Sequence, residues 1–149
     1  MKGSTRMAVL VRLAKLEEDR ALQGLGTALR AQRKLGVSAA DADAAVAAAE
    51  DGQRLEGRAV AADWAEQAFR HAYFARERAA AARLELARSD EELGRARDAL
   101  AQAKLRLLAM EKVRDARVRT ESKVRQRALD RRLDDAIASE QIRRRERDA

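Results

Sequence analysis

The sequence has no cysteine, no proline, a single histidine and four aromatic residues in 149. Without cysteine there are no disulfides, thiolate zinc sites or cysteine nucleophiles, which fits a reducing compartment. Without proline nothing forces a helix to end or kink. Long apolar runs are missing too, since none approaches the ~18 residues that a membrane span needs. The start MKGSTRMAVLVRL has an apolar stretch only from Met7 to Val11 before Arg12 interrupts it, too short for a signal peptide. The expectation is a cytosolic protein with no direct membrane insertion. Bulky core residues are scarce: Val, Ile, Leu and Phe make 29 of 149. That is too little for a large compact core, though enough for a narrow helix–helix seam. A compact α/β enzyme and a β-sandwich are excluded.

What is present is helix-forming. Ala, Glu, Lys, Leu and Arg account for 97 of 149 residues, above the level that marks a long helix or coiled coil. From Met7 a 4-3 spacing runs through Val11, Ala14, Glu18, Ala21, Leu25, Ala28, Gln32, Leu35, Ala39, Ala42, Val46 and Ala49, apolar except at Glu18 and Gln32. Leu10, Leu13, Leu22 and Leu29 flank this stripe and are expected to widen it. A sustained 3.5-residue period belongs to a coiled-coil face, and its alanines let two helix axes approach closely.

The pattern breaks at Glu50-Asp51-Gly52-Gln53-Arg54-Leu55-Glu56-Gly57, where two glycines among polar neighbours signal a turn. A second periodic segment starts near Ala59. Its clearest register is Leu86, Leu93, Ala96, Leu100, Ala103, Leu107 and Met110, with Trp64, Ala68, His71, Ala75 and Ala82 upstream at compatible spacings. Beyond Met110 the in-phase positions are Arg114, Arg117 and Glu121, so the seam fails. The reading is an all-α fold: a single antiparallel coiled-coil hairpin over residues 1–149. Helix one covers about 7–50, the turn 51–58 and helix two 59–145. Folding back at the turn matches helix one to residues 59 to about 104. The last 40 or so residues then form a helical overhang.

Charge follows the same division. The net +7 resides mainly between Lys112 and Arg147, where 13 Lys or Arg face 7 Asp or Glu. An unpaired basic helix has several readings: a solvated face, a nucleic-acid contact, a membrane-surface helix, or a rod inserted into an acidic or polar protein channel. No aromatic stacking residues accompany the charge, as nucleic-acid binding would favour. No strong apolar face accompanies it, as a membrane surface requires.

Chemistry has little to work with. His71 stands alone in a helical stretch without a nucleophile or carboxylate motif, and no phosphate loop, HExxH pair or calcium loop occurs. Acidic pairs such as Glu17-Glu18 and Glu91-Glu92 read as solvated helix faces. The expectation is a non-enzyme with no catalytic residues, cofactor or metal. Trp64, Phe69, Tyr73 and Phe74 cluster in DWAEQAFRHAYFARER. They either thicken the hairpin near its turn or form an exposed docking patch, aromatic side chains being common interface anchors.

The opening LVRLAKLEEDRALQGLG, the short break near residue 52 and the segment MEKVRDARVRTESKVRQRALDRRLDDAIASE at 110–140 together resemble the FliJ/YscO family. The likeness covers nearly the whole chain. It implies the central stalk of a bacterial type III protein-export ATPase complex, a coiled coil whose two chain ends sit in a hexameric ATPase ring, promoting its assembly and hydrolysis. The opposite end would contact the export-gate membrane protein, and some members handle substrate chaperones. Carried over by position, ring contact falls on Met7 to Glu18 and on Glu111, Lys112, Arg114, Arg117, Arg125, Arg127, Arg131 and Asp135. Gate contact falls on Phe69, Tyr73 and Phe74. The resemblance favours a flagellar apparatus over a virulence injectisome. It implies a cytoplasmic protein peripheral to the membrane, without nucleic acid as a partner. A generic coiled-coil scaffold dimerising through Met7–Ala49 and a nucleic-acid-binding helix are the competing expectations.

Overall fold

The structure, a computed structural model, describes residues 2–56 and 62–149. It is an all-α, two-helix hairpin: α1 spans Lys2–Glu56 and α2 spans Ala62–Asp148. Asp63 in the first turn of α2 and Arg145 and Arg147 in its last turn complement the helix dipole. By its contacts the chain divides into two compact units. One is Glu18–Ala103. The other consists of the two ends, up to Glu17 and from Lys104 onward.

In the unit Glu18–Ala103 the 4-3 stripe of α1 is covered at every expected position. Ala39 and Ala49 are buried; Glu18, Ala21, Leu25, Ala28, Gln32, Leu35, Ala42 and Val46 are half-buried. On α2 the covered series is Ala68, Ala72, Ala75, Ala79, Ala82, Leu86, Ser89, Leu93, Ala96, Leu100 and Ala103. Ala49, Ala72 and Ala75 form one cluster with Val46 packed against it, and Ala72 is only 1% exposed. Cross-helix contacts set the antiparallel register. Gln53 Nε2 donates to the Ala68 carbonyl at 3.4 Å, and Arg76 pairs with Glu50 at 2.8 Å. Farther along, Arg83 pairs with Asp43, and Gln32 Nε2 donates to Asp90 Oδ1 at 3.2 Å.

Three expectations need correction here. Trp64 and His71 are exposed, and Ala72 and Ala79 occupy the seam instead. A bulky ring would hold apart axes that small alanines allow to approach. Leu10, Leu13 and Leu22 are exposed rather than widening the stripe, and only Leu29 is half-buried. Finally, Asp51 to Glu56, expected in the turn, continue α1; the rest of the expected turn, Gly57 and Arg58, lies outside the described residues. Gly52 costs the helix about 1 kcal/mol relative to Ala, and the contact of Gln53 with α2 keeps this segment packed.

In the unit made of the two ends, Met7 and Ala14 are buried, Val11 is half-buried, and Arg106 pairs with Glu17 at 3.4 Å. Leu107, Met110, Glu111, Arg114 and Glu121 are half-buried; from Ser122 onward every residue is exposed. With Glu17 opposite Arg106, antiparallel geometry brings the start of α1 opposite about residue 120. The overhang therefore begins after Glu121, not near residue 104. Two causes act together: α1 starts five residues earlier than its apolar stripe, and it runs past Gly52 to Glu56. What remains uncovered is about 40 Å of helix.

Candidate functional site

The overhang inherits its helicity from the paired part of α2. Nucleating a helix in isolation is unfavourable, and continuity with a packed helix removes that step. Between Ser122 and Asp148 stand nine basic residues, eight of them Arg, and six acidic ones. Only one ion pair forms there among the described residues, Arg144 with Glu140 at 3.4 Å. Gln126 Nε2 donates to Asp130 Oδ1 at 3.2 Å, and the Ser139 hydroxyl donates to the Asp135 carbonyl at 2.8 Å. The remaining arginines present free guanidinium forks, the geometry that grips carboxylates in bidentate fashion.

The eight residues assigned to ring contact do not share one face. Glu111 and Arg114 are half-buried at the end of the seam, and Arg114 is held by Asp115 at 2.9 Å. Lys112, Arg117, Arg125, Arg127, Arg131 and Asp135 are exposed and carry no side-chain ion pair among the described residues. Arg127, Arg131 and Asp135 follow one another at four-residue steps and make one row. Arg114 and Arg125, eleven residues apart, lie on another face three turns apart. Together they surround the helix as a girdle; they do not converge on a point. Such an arrangement suits a socket that encloses the rod.

Aliphatic residues on the same helix are exposed as well. Leu129, Leu133 and Ile137 are 53%, 61% and 56% exposed, at i, i+4 and i+8 on one row. In the sequence they register only as sparse survivors of a failed seam. Their signal is four-residue spacing, which a search for a 4-3 repeat passes over.

Near the other end of α2, Trp64, Phe69, Tyr73 and Phe74 are all more than half exposed. None of them thickens the hairpin, because Ala68, Ala72, Ala75 and Ala79 form the seam there. Phe69 and Tyr73 share a face at i, i+4. Tyr73 meets Phe74 edge to face, with ring centroids 5.8 Å apart. Beside them lies an open groove of about 340 Å³ whose walls include Gly52, Gln53, Trp64, Gln67 and His71. Two amides and one imidazole provide hydrogen bonding there, with no carboxylate in the lining. No described helix is long and apolar enough to cross a membrane. Against known proteins the chain matches no family model, no curated protein and no solved structure.

Proposed function

We propose that this protein is the non-enzymatic central stalk of a bacterial type III export ATPase, with flagellar protein export as the apparatus it serves. The observation that carries the reading is the overhang: a continuous helix that leaves its partner after Glu121 and extends eight arginines into solvent, seven of them unpaired. A rod of mixed charge with a basic excess suits a channel lined by acidic loops. Met7 to Glu18, with Glu111, Lys112, Arg114, Arg117, Arg125, Arg127, Arg131 and Asp135, would touch the ring. Phe69, Tyr73 and Phe74 would meet the export gate, placing the protein in the cytoplasm against the membrane. Substrate chaperones are further partners on this reading.

The mechanism is allosteric. One asymmetric rod inside six nominally equal subunits makes their nucleotide sites unequal, so rod contact biases the ring toward a hydrolysing state. Arginine–carboxylate pairs make the association salt-sensitive. The test mixes purified protein with flagellar and injectisome export ATPases and records hydrolysis and ring size. Stimulation with hexamer formation by one of them supports the stalk and identifies the apparatus; no effect on either removes the reading. A generic scaffold is the second reading, favoured by the exposed outer row Val9, Leu13 and Leu16 on α1. It expects self-association and an unmoved ATPase.

A further inference from the structure

Each helix of the unit Glu18–Ala103 carries a second strip, turned away from the seam. On α1, Gln23, Arg30 and Val37 recur at seven-residue steps, two residues before Leu25, Gln32 and Ala39 of the covered stripe. Two residues are about 200° of helix, so this strip lies opposite the stripe. On α2, Leu84, Glu91 and Asp98 recur in the same way, two residues before the covered Leu86, Leu93 and Leu100. All six are exposed, Val37 at 63% and Leu84 at 54%. Arg30 donates to its neighbour Thr27 at 3.3 Å. None of Arg30, Glu91 and Asp98 has an ion pair among the described residues.

The two strips complement each other in one arrangement. Set antiparallel, they bring Gln23 to Asp98, Arg30 to Glu91 and Val37 to Leu84 in a single register. A parallel setting puts Val37 against Asp98 and Gln23 against Leu84. The α1 strip on a copy of itself puts Arg30 against Arg30, and the α2 strip on itself puts Glu91 against Glu91. Beside the strips, Gly26 and Gly94 stand three residues after Gln23 and Glu91 and fall opposite each other in the same register. A helical glycine costs about 1 kcal/mol relative to Ala, and a Cβ on Gly94 meets nothing within 4 Å in its own chain. Two glycines facing each other let helix axes approach closely. The flanks are mixed: Lys34 and Arg88 face each other as like charges, Arg95 meets Thr27, and Arg33 lies beside Glu91. One heptad farther along the sequence in each strip stand Leu16 and Leu105, again apolar with apolar.

We infer that a second copy of this chain is the partner of these strips: the α2 strip of one copy seats antiparallel on the α1 strip of the next. Both complementary surfaces are on the same chain, match in length and share one register, which selects a copy over an unrelated helix. The contact is heterologous, so each copy keeps one free strip on either side and copies add side by side in an open row. Three pairs make a small interface, and its association is weak and concentration-dependent. The inference stands apart from the stalk reading and uses none of the ring-contact residues.

The experiment follows the mean mass of the full-length protein by light scattering as concentration rises, at low and at high salt. Wild type is expected to grow beyond a single copy at low salt and to return toward it at high salt, since exposed pairs are screened. Arg30→Glu alone and Glu91→Arg alone each place like charges in the register, and each should need about tenfold more protein for the same mean mass. An equal mixture of the two variants restores opposite charges at every contact and should associate like wild type. All proteins should keep the same helical signal and urea midpoint. Should either charge reversal lose helicity, Val37→Gln is expected to shift the same curve in the same direction. A wild type that stays a single copy at every concentration overturns the inference. So does association that both reversals leave unchanged, or that the mixture fails to restore. A single-copy wild type whose stimulation of an export ATPase is lost in Arg30→Glu overturns the second copy in favour of the ATPase as the occupant of the α1 strip.

Discussion

The unit Glu18–Ala103 and the overhang after Glu121 solve opposite problems, and alanine is the commonest residue of the first where arginine is the commonest of the second. In the first, arginine charge is used internally: Arg76 pairs with Glu50 and Arg83 with Asp43 across the hairpin. The seam is largely alanine, so each contact is small and their number holds the helices together. In the overhang, arginines face solvent with one ion pair between them, and the large aliphatic side chains point outward. Composition already sets the two apart, and the structure adds which side chains have a partner in the same chain. Substitutions should therefore affect stability in one region and partner binding in the other.

The largest stability effect is expected from Ala72→Glu. Placing a carboxylate in the tightest position of the seam should cost about 3 kcal/mol or more, read as a lower urea midpoint by circular dichroism. Leu133→Glu in the overhang should leave that midpoint unchanged within about 0.5 kcal/mol. Equal losses in both proteins would abolish the distinction. Next comes Arg125→Glu with Arg131→Glu, which should weaken ATPase stimulation without reducing helicity. Unchanged stimulation would remove these arginines from ring contact. Gly52→Ala should stabilise the hairpin by up to about 1 kcal/mol, because Gly52 is helical and a Cβ there meets nothing within 4 Å. Destabilisation would instead place a turn at Gly52. The smallest effect belongs to Arg83→Ala. Its pair with Asp43 is well exposed, so the loss should stay below about 1 kcal/mol and shrink further in salt.

Much of this division is legible in the residues. The 4-3 stripe of α1 is covered at all thirteen expected positions, from Met7 to Ala49, and that of α2 from Leu86 to Met110. Both carry enough contrast between apolar and charged neighbours to define a phase. Upstream of Leu86 the phase slips because alanine is everywhere: with Ala79, Ala80, Ala81 and Ala82 in succession, periodicity has no contrast, and Trp64 and His71 draw attention by size. Helix length is less legible in the residues than helix face. Gly52 with polar neighbours has the composition of a turn, yet one glycine costs a long packed helix little, and the overhang start shifted with it. The ring-contact residues come from the resemblance and not from periodicity. The exposure of the aliphatic row follows from where α1 begins, which periodicity does not fix.

Amide hydrogen exchange, followed along the whole chain with and without the export ATPase hexamer, tests the central division most directly. Alone, the seam of Glu18–Ala103 should exchange slowly and residues 122–148 quickly, since local opening follows the number of packed contacts. With the hexamer present, the stalk reading expects strong new protection in residues 122–148, while Glu18–Ala103 stays as it was. An overhang that remains unprotected while the ATPase is stimulated would contradict the assignment of that helix to partner binding.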